Sequence, residues 1–207
     1  MVQVPESLPA RMYLLSYDLN KHRMAVKGGR LGYVLRAAAL TELYLDGRLT
    51  EERRRPRPGT PGDDPYGLLA RIAASRPRSW QYWVRKDGRA MVRAVRDELV
   101  QGGWIRVQPS RMFGIFPSQQ VTVKDPRVVK TLWGGASSAL RGKPVAHVNS
   151  YDAAAVALAA AGELKTVLPR PDRRRHKRRI AELTARSGPA APAVRKVLSA
   201  ERAAAAG

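Results

Sequence analysis

Arg36 is the one cation inside LGYVLRAAALTELYLDGRL, Leu31 to Leu49, before the closing Arg48. A guanidinium keeps its proton at any pH a protein survives, so a buried one needs an anionic partner. That partner is either a carboxylate of the fold or a bound anion, and the sequence leaves both open. A second group, Arg89, Arg93 and Arg96, falls at i, i+4 and i+7 and therefore shares one face of a helix. Such a stripe is either a solvated face or an anion-binding surface. The third group is the densest: Arg173, Arg174, Arg175, Lys177, Arg178 and Arg179 follow one another within DRRRHKRRIAELTAR. It reads as a solvated helix or as an adhesive for phosphates, worth about 1 kcal/mol per cation at an anionic surface.

Other chemistry is poorly represented. There is no cysteine, which excludes disulfides, thiolate zinc sites and thiol catalysis. His22, His147 and His176 are scattered without metal-ligand spacing. No Gly-rich phosphate loop, nucleophile elbow or apolar-set carboxylate pair occurs, and Gly28-Gly29 alone is too weak a signal. Enzyme is the least favoured class, and neither cofactor nor metal is expected.

The elements that must position these cations follow from periodicity. Leu31, Val34, Leu35, Ala37 to Leu40, Leu43 and Leu45 cover nearly every helical angle, the pattern of a helix buried inside a domain. Gly47 suits its left-handed C-terminal cap. Before it, residues 1–7 read as an arm, and MYLLSYDL, Met12 to Leu19, is a strand or a first helical turn. Residues 51–66, rich in Pro, Gly and charge, read as an exposed loop. A short helix is expected over Gly67 to Ala74, and SWQYW precedes the next one. Asp87 is placed as the cap of a helix reaching Gln101, with Met91, Val92, Val95 and Leu99 inward. WIRVQPSRMFGIFP then reads as a hairpin turning at Pro109-Ser110. Met112, Phe113, Ile115 and Phe116 make its second half apolar, for the core, a membrane or a partner. Helices are expected over Val121 to Leu140, entered through Asp125-Pro126, over Asp152 to Leu164, and over Asp172 to Arg186. Residues 187–207, rich in Ala and Pro, read as a flexible tail.

The balance of 38 Lys and Arg against 17 Asp and Glu, +21 in 207 residues, points to a polyanionic partner. The preference for Arg, Ala, Gly and Pro also fits a GC-rich bacterial genome of actinobacterial type. No apolar run approaches the roughly 20 residues of a spanning helix, and MVQVPESLPAR lacks the features of a signal peptide. A cytoplasmic protein, at most peripheral to a membrane, is expected.

Two binding modules fit. A helix leading straight into a hairpin, in so basic a chain, is the order of a winged-helix DNA-binding domain, a transcriptional regulator. The other is a lipid-headgroup binder. LLSYDL, LRAAALTELYLDGRL, GDDPYGLL, the Trp segment, VRDELVQGGWI with its hairpin, and DAAAVALAAA, in this order, resemble the Golgi phosphoprotein 3 family from about Pro5 to Arg186. The resemblance implies a mostly α-helical single domain, residues 8–186, with one prominent β-hairpin. It further implies a non-enzymatic peripheral membrane protein that binds phosphatidylinositol 4-phosphate or another anionic lipid headgroup. Adaptor contacts to membrane-protein clients, and self-association or bilayer contact through Met112, Phe113, Ile115 and Phe116, belong to the same implication. The family's headgroup pocket uses an aromatic residue, an Arg in the central helix and two Arg in the helix before the hairpin. Arg36 and Arg89 stand at matching positions; the second Arg of the later pair falls on Val92 with Arg93 beside it, and Lys27 occupies the aromatic position. Arg173, Arg174 and Arg175 are assigned to electrostatic contact with the membrane.

Overall fold

The computed structural model describes the backbone of residues 2–26, 28–112, 116–142 and 144–207, and their side chains apart from 110–112 and 116–118. The fold is predominantly helical, with small two-stranded antiparallel sheets, and is organised around α2, Gly28–Leu45. Leu31, Val34, Leu35, Ala37, Ala38, Ala39, Leu40 and Leu43 are all buried, as their coverage of the helical circumference requires. Gly47, at φ +71°, turns the chain away after the last apolar turn.

The first apolar stretch is helical: α1, Leu8–Leu15, is started by Ser7, whose hydroxyl accepts from the Ala10 amide. After α1 the chain makes a minimal antiparallel pair, β1 (Tyr17–Asp18) with β2 (Arg23–Met24). The segment expected as an exposed loop instead contains a hairpin, β3 (Leu49–Glu52) with β4 (Arg55–Pro58), exposed apart from Leu49 and Pro56. Pro56 and Pro58 fit there because each strand of a two-stranded hairpin is an edge. Next come α3 (Leu68–Ala73), α4 (Trp80–Arg85) and α5 (Gly88–Gln101). Asp87 does not cap α5 with its side chain; it sits at φ +55° and gives its carboxylate to Arg71 at 2.7 Å.

The large hairpin pairs β5 (Ile105–Met112) with β6 (Phe116–Val123), from Ile105 opposite Val123 to Met112 opposite Phe116. Pro109 and Ser110 lie within β5, opposite Gln119 and Ser118, so the reversal falls past Met112 rather than at Pro109-Ser110. Then follow α6 (Pro126–Arg141), capped by Asp125, and α7 (Ser150–Gly162), capped by Asn149. The basic segment is two helices: α8 (Arg170–Arg175) and α9 (Lys177–Arg186) break at His176, with φ −102° and ψ 25°.

The C-terminal segment corrects the expectation of a flexible tail. Residues 190–206 form α10, Ala190–Ala206, which buries Ala190, Ala191, Ala193, Val194, Val197 and Leu198. Around α2 lie α1, α4, α5, α7 and α10. A smaller cluster joins α6, α7 and α9 through Ala136, Ala139, Leu140, Val156 and Leu183. At the end of α7, Glu163 adopts φ +55° and collects three arginines from three elements: Arg202 at 2.6 Å, and Arg30 and Arg173 at 3.8 Å each.

Candidate functional site

Arg36 lies one turn beyond Gly32, where α2 crosses the start of α5. A Cβ on Gly32 would come within 2.8 Å of the Gly88 backbone, so only glycine permits this approach. The crossing sets Arg36 beside the end of α4. Its Nε donates to the Trp83 carbonyl at 3.2 Å, and Nη2, fully buried, has no hydrogen-bond partner. The residue is 2% exposed. No carboxylate lies within ion-pair distance of it among the described residues. Burial pulls the guanidinium pKa down to about 10, with Asp87 and Asp64 opposing this and Arg71 adding to it. A buried cation with a spare donor and no anion is costly, and it is the arrangement an incoming anion would relieve.

The surroundings are aromatic. Trp80 and Trp83 of α4 are both buried with unpartnered indole N–H groups. Trp80 meets Tyr44 edge-on at 6.3 Å, and Lys86 lies over the rings of Tyr82 and Trp83 at 5.4 and 5.7 Å. The SWQYW segment therefore lies beside Arg36 and contacts it through the Trp83 backbone carbonyl, which no sequence motif announces. Arg71, which fixes Asp87 next to Arg36, had no signal in spacing either.

Arg89 and Arg93 occupy the exposed face of α5, opposite its buried Met91, Val95 and Leu99, and neither makes an ion pair among the described residues. The charges that act most on Arg36 are those of Asp87, Arg71 and Asp64. Arg96 leaves the stripe: it sits 3.6 Å from Asp97 and hydrogen-bonds Gln119 of β6. Of the basic run, Arg174 and Arg175 are exposed, whereas Arg173 turns inward to Glu163. Lys27, Phe113 and Ile115 lie outside the described residues, as do the side chains of Met112 and Phe116.

Among the described residues no three His, Asp or Glu side chains group as metal ligands, and no helix is long and apolar enough to cross a membrane. The chain is thus a helical domain centred on a buried helix, with a hairpin after α5 and, among the described residues, one buried arginine. Residues 8–200 match Golgi phosphoprotein 3 (GPP34), and the chain belongs to that family. No curated protein matches the sequence.

Proposed function

We propose that the chain is a non-enzymatic peripheral membrane protein that binds a phosphoinositide, phosphatidylinositol 4-phosphate or a related anionic lipid headgroup, and serves as an adaptor for membrane proteins on the cytoplasmic face. The observation that carries this reading is the spare buried donor of Arg36, in the central helix of the family's domain. A phosphate oxygen would give that donor the charge-assisted hydrogen bond it lacks. Arg89, Arg93 and Lys27 add further cationic contacts to the headgroup, and Arg174 and Arg175 hold the protein to the anionic surface. Met112, Phe113, Ile115 and Phe116 supply self-association or bilayer insertion.

Vesicle flotation tests this. Phosphatidylcholine vesicles carrying phosphatidylinositol 4-phosphate should float the wild type, plain phosphatidylcholine should not, and Arg36→Met should abolish the difference. Arg89→Ala or Arg93→Ala should weaken it. A gel shift on duplex DNA is the parallel arm, motivated by the α5–hairpin order. A sequence-specific shift without flotation would replace the headgroup reading by a winged-helix one.

A further inference from the structure

A cleft of about 510 Å³ opens where the end of α6 meets the α8–α9 break. Its lining includes Arg141, Arg175, His176 and Arg179, with Asp172 as the single carboxylate. Three arginines and one carboxylate residue therefore line one concave space. Asp172 meets Arg141 through one contact of 3.4 Å. Arg179 is set in place by its Nε and Nη2, which donate to the Ala139 carbonyl at 2.9 and 2.8 Å. Arg175 is exposed and makes no ion pair among the described residues.

The backbone explains the gathering. A continuous helix would carry Arg175 and Arg179 along one face of a rod. The turn out of helix at His176 reorients α8 against α9, so that side chains from both helices and from the end of α6 converge. Two net positive charges in a recess, one of them pre-positioned by a backbone carbonyl, match a phosphate, whose oxygens accept from several guanidinium donors at once.

The geometry points to a second anion site in this cleft, recognising a phosphate group on a small organophosphate or a lipid headgroup, held by Arg141, Arg175 and Arg179 with His176 at its edge. It stands apart from the Arg36 reading and does not depend on it.

Glycerol 3-phosphate followed by calorimetry is the soluble arm, and phosphatidylcholine vesicles doped with phosphatidic acid are the membrane arm. The decisive comparison is between Arg175→Glu and Arg174→Glu, which change net charge equally one residue apart, the first inside the cleft and the second outside it. Loss of one charge-assisted contact predicts that Arg175→Glu weakens binding about tenfold or more beyond Arg174→Glu, which removes only the general attraction to an anionic surface. The His176 ring resonances should shift on titration with glycerol 3-phosphate. Binding in the soluble arm alone assigns a free organophosphate, and binding in the vesicle arm alone assigns a headgroup. Equal losses in the two charge reversals, unmoved His176 resonances, or no binding in either arm would overturn the site.

Discussion

Replacing Arg36 by methionine should affect stability and binding in opposite directions. A buried cation without an anionic partner contributes little to the folded state, and an apolar side chain of similar length leaves no donor unsatisfied. Arg36→Met is expected to be between neutral and about 4 kcal/mol more stable, while losing any preference for phosphorylated headgroups. Thermal melts beside flotation check both, and a marked loss of stability would mean that Arg36 serves the fold. Arg36 itself was legible in the sequence, because one cation among apolar neighbours on every side has to be buried. Its surroundings were not. The Trp83 carbonyl, Asp64, Arg71 and Asp87 reach it through tertiary packing, and a carbonyl carries no residue signature. The pairing of Arg89 and Arg93 with Arg36 rests on their shared helix face, which is the exposed face of α5.

Among the elements, the α2–α5 crossing is the tightest constraint on the site. Gly32→Ala would place a methyl group against the Gly88 backbone, which cannot yield as a side chain can. The expected cost is about 1–3 kcal/mol by denaturant unfolding, with headgroup binding impaired as Arg36 shifts with its helix. The helices with strong apolar stripes were readable from periodicity. What escaped was what small residues and backbone turns decide. Ala190, Ala191 and Ala193 lack bulk and read as a loose tail, yet that lack of bulk lets α10 pack closely on α2, α4 and α7. The break at His176 is a backbone event within a run of helix-compatible residues. Pro109 reads as a turn but sits in β5, where a two-stranded ribbon tolerates a missing donor.

On the scale of the molecule, α10 closes the core. Its removal at Gly188 would uncover the faces of α2, α4 and α7 that it buries. The shortened chain should lose its cooperative melting transition and bind hydrophobic dyes. The Glu163 junction ties this helix down from the other side. The Arg202 hydrogen bond and the charges of Arg202, Arg173 and Arg30 hold the Glu163 carboxyl below its ordinary range, against the effect of burial. A carboxyl lowered on folding stabilises the fold above its unfolded pKa and loses that contribution as pH falls through the folded value. The advantage in melting temperature of wild type over Glu163→Gln should therefore hold from neutral pH to about 5 and shrink below about 4.

That junction also rations how sticky the protein is. One carboxylate engages three of the 38 basic side chains, drawn from α2, α8 and α10. Acid or a Glu163→Gln exchange would unfasten the scaffold and, in the same event, release three guanidinium groups toward any polyanion nearby. Loosening and clinging are thus coupled at a single carboxylate, and a weakened form of this protein should adhere to anionic surfaces more, not less, than the intact one.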